Sequence, residues 1–220
     1  MERFKPLWHI VVMVTLPLAI LLLSSNLVLR VSETYIYHFN DSQVTLYTGV
    51  DVSGSQFASS ITDYFNRIGG EDFQVYEQNG TFMDPLFEEN ESRMMSEAKR
   101  TMTTEFFAGL LLLGIGVFVY ILLMRRGDVK SLRKTGFVAL VLGMGFLVTQ
   151  IIAMNNPGFR EWLYDTFIGV ELNENSLIAL LLSDPFQKSY LLFATILGTA
   201  FMVIYGYIHH YITQEKRIFS

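Results

Sequence analysis

The chain has no cysteine, and only 17% of its 220 residues carry a charge. Without a thiol there is no disulfide, no thiolate metal site and no cysteine nucleophile. Other signatures are missing too: there is no His-Glu-x-x-His, no phosphate-cradling glycine loop and no Gly-x-Ser-x-Gly elbow. No internal repeat or low-complexity tract stands out. No cofactor, metal or nucleic-acid partner is expected from such a sequence.

What the chain has in excess is apolar residues, 51% of the total, more than a soluble domain usually carries. They cluster in four windows, residues 8–29, 105–124, 135–154 and 189–212. Each window is long enough to cross a bilayer core, and none has a charged residue in its middle. The first follows a short basic start (Arg3, Lys5) and reads as a retained anchor, because no small-x-small cleavage site appears after it. The expected fold class is therefore an α-helical membrane protein with four transmembrane helices, a small mixed α/β cap and an interfacial helical segment.

Lysine and arginine set the expected orientation. The loop between the second and third windows holds Arg125, Arg126, Lys130, Arg133 and Lys134, and both termini fall on the same side. That side carries nine basic and three acidic residues, the opposite side seven basic and 18 acidic. The basic side is predicted to be cytoplasmic and the acidic side extracytoplasmic, in the cell membrane. The expected organisation is a cytoplasmic start and first span over 1–29, a cap over 30–104 and a second and third span joined by the basic loop over 105–154. An outer interfacial segment over 155–188 and a fourth span with cytoplasmic tail over 189–220 complete it.

Within the cap, residues 35–39 and 44–47 read as short strands around an Asn40-Asp41-Ser42 turn. Phe57, Ile61, Tyr64, Phe65 and Ile68 recur at helical spacing, stopped by Gly69-Gly70. Phe73, Val75 and Asn79-Gly80 suggest a hairpin. A helix is expected from about Asp84, with Pro85 in its first turn and Glu88, Glu89 and Glu91 at the positive end of its dipole rather than around a metal. In the second outer segment, Phe159, Trp162, Leu163 and Phe167 form one face of an amphipathic helix, and the apolar run 177–182 is too short to span and reads as interfacial or re-entrant. A groove between cap and bilayer is expected, lined by rings such as Tyr35, Tyr37, Trp162, Tyr164 and Phe167.

Candidate catalytic groups are few. His9, His209 and His210 lie at span ends and read as interfacial anchors; His38, in the cap, lacks an orienting partner nearby in sequence. Ser24, Ser25, Asn26, Thr149 and Gln150 are polar positions toward the outer ends of spans. Gly114, Gly116, Gly143, Gly145, Ala194 and Gly198 are expected to permit close helix packing.

The four-span layout, the aromatic stretch Glu33–Tyr37, the helix face around Tyr64, the run Glu91–Lys99 and the order Leu163–Phe167, Leu177-Ile178, Pro185 and Phe186 together resemble the bacterial lipoprotein intramolecular transacylase family. Glu33-Thr34-Tyr35-Ile36-Tyr37 is similar to an aromatic stretch after the family's first span, and Ile61-Thr62-Asp63-Tyr64-Phe65 to its Tyr-rich cap helix. Glu91-Ser92-Arg93-Met94-Met95-Ser96-Glu97-Ala98-Lys99 aligns without a gap to Glu-x-x-His-Met-x-Asp-Val-Lys. Leu163-Tyr164-Asp165-Thr166-Phe167, Leu177-Ile178, Pro185 and Phe186 follow the order of the family's second outer segment. The resemblance implies transfer of an acyl chain from a glyceryl oxygen to the amino-terminal cysteine amine of a lipoprotein, with two histidines as acid and base. Here those positions hold Met94 and, less tightly aligned, Asp165. A thioether cannot carry a proton, and an aspartate is ordinarily ionised at pH 7. The motif positions Glu91, Met94, Glu97, Lys99 and Asp165 thus match the family's scaffold without its histidine pair. Three readings follow: a non-catalytic relative that binds lipoprotein or lipid, an acyltransferase using other groups, or a structural subunit with a membrane-protein partner.

Overall fold

A computed structural model describes residues 5–37, 39, 53–67, 69, 73–74, 76–79, 82–85, 87–127, 129–167, 178 and 184–215. The elements in chain order are helices α1 (Lys5–Leu29), α2 (Ser32–Ile36) and α3 (Gly54–Asn66), strands β1 (Tyr76–Asn79) and β2 (Phe82–Pro85), and helices α4 (Glu89–Arg125), α5 (Val129–Asn155), α6 (Pro157–Phe167) and α7 (Asp184–Glu215). Four helices are long and apolar enough to cross a membrane, over Pro6–Leu29, Glu89–Arg125, Val129–Ala153 and Pro185–Gln214. The chain is a multi-pass membrane protein built mainly of helix.

Two compact units divide it. The first comprises Met1–Asn26, Glu105–Ile152 and Ala194–Ser220; the second comprises Leu27–Thr104 and Ala153–Phe193. The first unit is a helix bundle, and α1 is the most buried of its spans. Small residues bring the backbones together. Gly116 lies against Thr15 and Leu16, Gly143 against Met202, and Gly198 against Leu147 and Ser24, so a side chain at any of them would collide. Ala194 is likewise fully buried, whereas Gly114 and Gly145 face open space and do not serve the close packing expected of them.

Histidines in this unit are more than interfacial anchors. His9 bonds Thr135 Oγ1 through Nδ1 at 2.6 Å and Ser131 Oγ through Nε2 at 3.0 Å, joining α1 to α5. His209 is buried, with Nδ1 2.7 Å from the Tyr120 hydroxyl and its ring against Gly136. His210 is exposed.

The second unit folds around rings. Residues 35–39 do not form the expected strand. Ser32–Ile36 is a helical turn, continued by Phe39 N–H donating to Tyr35 O at 2.7 Å. The alternation Tyr35, Tyr37, Phe39 suggests period 2, but the buried pair Tyr35 and Phe39 is spaced by four and Tyr37 points away, 72% exposed. The turn also has work to do at the end of α1. Thr34 Oγ1 donates to Val28 O at 2.6 Å and Tyr35 OH to Leu29 O at 2.9 Å, satisfying carbonyls that a helix end leaves bare. An extended strand would carry both hydroxyls away.

Helix α3 opens with a capping box, Ser53 Oγ accepting from Gln56 N and Gln56 Oε1 from Ser53 N. It ends at Asn66, and Gly69 adopts φ +76 just beyond. The buried face of α3 is Phe57, Ala58, Ile61, Thr62 and Phe65. Strands β1 and β2 pair antiparallel in the register Tyr76↔Pro85 to Asn79↔Phe82, the hairpin expected around Asn79. Asp84 and Pro85 belong to β2 rather than to the helix expected there, and α4 begins at Glu89. The described cap is thus helical with one short hairpin. Residues 44–47 and the Asn40-Asp41-Ser42 turn, His38, Ile68, Gly70 and Val75 lie outside the described residues, as does the run 177–182 apart from Ile178.

Helix α6 starts cleanly because Asn156 Oδ1 accepts from Phe159 N at 3.2 Å and Pro157 occupies the first helical position, where no N–H is needed.

Candidate functional site

The positions that match the transacylase pattern lie on α4, with one more on α6. On α4, Glu91, Ser92, Met94, Met95 and Met102 are buried. Its methionines pack into one cluster with Tyr35, Phe39, Phe57, Phe73, Phe87, Ile178 and Phe186. Phe186 stacks on Tyr35 at 5.4 Å and on Phe39 at 6.0 Å, and Phe39 meets Phe57 edge-on at 5.5 Å. Ring pairs at such separations add to the area they bury. Burial among these rings pushes the Tyr35 phenol well above its usual range, so it remains a donor to Leu29 O.

Glu91 is the polar centre of this face and is only 3% exposed. Its Oε2 accepts from Glu88 N at 2.8 Å, reaching back across the first turn of α4. Its Oε1 accepts from Ile178 N at 3.0 Å, 87 residues away. The carboxylate therefore serves at once as helix cap and as tie to the segment between α6 and α7. Ser92 makes a parallel tie, donating to Phe73 O at 2.8 Å.

The remaining positions have separate engagements. Met94 is 4% exposed within the ring cluster, where a soft thioether packs well and has no proton to give. Glu97 pairs with Arg100 at 2.8 Å on the same helix. Lys99 Nζ donates to Gly69 O at 3.1 Å and sits 4.2 Å from the centre of the Tyr64 ring. Asp165 is exposed on α6. Of the expected groove residues, Tyr35 is in the core, and Tyr37 is exposed with its edge against Phe193 at 5.3 Å. Trp162 is 56% exposed and stacks on Phe159 at 5.6 Å. The side chains of Tyr164 and Phe167 lie outside the described residues, although their backbone belongs to α6.

Glu91, Glu97 and Lys99 each have polar or ring partners, and Met94 lies among rings. Glu91 has an N–H donor on each oxygen, and Lys99 has a carbonyl and a ring. Sequence reasoning missed Ile178, Phe186, Phe73 and Phe87 as partners of α4. Only the apolar character of these residues could have signalled it.

No protein-family model matches the sequence, and no protein of curated function does. Solved structures do. A histidine-to-arginine variant of the membrane integral lipoprotein intramolecular transacylase Lit from Bacillus cereus superposes with a TM-score of 0.74 at 14% identity, covering 100% of this chain and 96% of that one. A second structure of Lit from the same organism gives 0.72 at 13% identity, covering 99% and 100%. The chain has the fold of Lit. Coverage at both ends means that cap and spans are shared together, with α4 as the helix that carries the aligned motif. The likeness extends to the whole architecture and leaves the chemistry to be argued from this chain's own residues.

Proposed function

We propose that this protein holds lipoprotein or membrane lipid at the membrane-facing side of its cap and does not perform histidine-based acyl transfer. The buried thioether of Met94 carries the reading: it sits where the resemblance calls for a proton-transferring group, inside a core of rings. General acid–base help is worth roughly 10²–10⁴-fold in rate, so a chain without it loses most turnover. The engaged carboxylates of Glu91 and Glu97 support the same reading, since neither stands ready to replace a histidine. Trp162 and Tyr37, large and exposed, are suited to the bilayer interface or to an acyl chain lying along it. The expected topology belongs to this proposal, with both termini and the basic loop in the cytoplasm and the acidic cap outside.

The test is mass spectrometry of lipoprotein amino-terminal lipopeptides in a host that lacks the authentic transacylase, with the protein purified in mild detergent from the same cells. We expect no lyso form, the species with one ester-linked and one amide-linked chain, and we expect lipoprotein or lipid to co-purify. Appearance of the lyso form overturns the proposal in favour of acyl transfer by other groups, and Asp165→Ala with Glu97→Ala then asks which. Absence of any bound lipid or lipoprotein overturns the binding role.

A further inference from the structure

The bundle unit carries a polar layer that the proposed function does not use. Three consecutive residues near the end of α1 each meet a different helix. Ser24 faces Gly198 on α7, Ser25 Oγ accepts from Gln150 Nε2 on α5 at 3.0 Å, and Asn26 hydrogen-bonds the Glu105 carboxylate on α4. Successive helical residues point about 100° apart, so the triplet fans across all three neighbours. Ser24 and Asn26 are fully buried.

The hydrogen bonds of this layer are unbalanced. Ser24 and Ser25 both give their protons to Leu21 O, at 3.0 and 2.9 Å. Ser25 can then only accept from Gln150, which fixes the Gln150 amide with its nitrogen toward Ser25. The Gln150 Oε1 is left buried with no partner among the described residues. Asn26 spends a donor on Glu105. Both serine protons and one N–H of each amide are committed, while the Gln150 carbonyl and the carboxylate of Glu105 keep acceptor positions. Among the described residues, the ion pair on this helix is Glu97–Arg100 and does not involve Glu105. A carboxylate at the edge of a membrane span calls for a counter-ion or a role.

A cation with several N–H donors would complement both acceptors. Glu105 opens the apolar run of α4, and Gln150 stands near the end of α5, so the layer lies where spans meet lipid headgroups. We propose that this acceptor-rich layer binds the primary ammonium of an aminophospholipid headgroup, with Glu105 as its counter-ion.

The test titrates the full-length protein in detergent with phosphatidylethanolamine, its N-methyl and N,N-dimethyl derivatives and phosphatidylcholine, all with the same acyl chains, read by native mass spectrometry. Affinity should fall stepwise with methylation, by at least tenfold from the primary to the quaternary amine, as N–H donors are lost. Glu105→Gln, nearly isosteric, should flatten the series. Equal affinity across the wild-type series overturns the proposal, and that outcome does not depend on the variant folding. A series that survives in folded Glu105→Gln also overturns it. Displacement of the lipid by free ethanolamine at matching concentration would assign the site to a small amine and overturn the lipid assignment.

Discussion

The bundle and the cap hold themselves together in opposite ways. In the bundle, buried and half-buried polar side chains reach each other across helices: His9 to Thr135 and Ser131, Tyr120 to His209, Ser25 to Gln150. In the cap, buried polar side chains reach backbone instead: Thr34 to Val28, Ser92 to Phe73, Glu91 to Ile178. The space between is filled with rings and methionines. The difference follows from the solvent of each part. Lipid tails are as apolar as leucine, so burial does not select one helix arrangement over another, and hydrogen bonds with glycine contacts must do so. The cap gains from removing rings from water, and its polar side chains are left to cap helix ends and loops.

The contrast is sharpened by substitutions of decreasing effect. Phe57→Ala removes a ring from the centre of the cap cluster, and we expect a loss of about 4 kcal/mol, read as earlier thermal unfolding in detergent and protease cleavage within the cap. Glu91→Ala strips the acceptor from Ile178 N and Glu88 N together, one of them deeply buried. Its expected cost is about 3 kcal/mol, with hydrogen exchange rising first at Ile178. Tyr120→Phe deletes only the bond to His209, and interhelical bonds in membranes average about 0.6 kcal/mol. If Tyr120→Phe destabilised as strongly as Phe57→Ala, the contrast between the two units would be broken.

The spans, and two elements of the cap, were legible because their signal is local. Four long apolar runs gave four spanning helices, and Phe57, Ile61 and Phe65 at helical spacing gave the buried face of α3. Asn79-Gly80 likewise marked the hairpin that pairs Asn79 with Phe82. Residues 35–39 misled because two periodicities coexist there, and the choice between them is made by the bare carbonyls at the end of α1, which no local pattern encodes. The start of α4 was misplaced for a related reason: Pro85 suits a first helical turn, but here it closes a strand. The helix expected from about Asp84 carried Glu91 and Met94 together, yet the partners of Glu91 and the burial of Met94 depend on residues far along the chain. A tie between positions 91 and 178 leaves no trace in the spacing of either.

The Glu91–Ile178 bond also fixes a timetable. When Glu91 leaves the ribosome, its second partner has not yet been synthesised, and Phe186, which caps Tyr35 and Phe39, comes later still. All of α5 and α6 separate the two halves of the cap core in the chain. The cap therefore cannot finish folding as its first half is made. Its core closes only once the last quarter of the polypeptide has been made, so completion of the first half depends on everything between, the third span included.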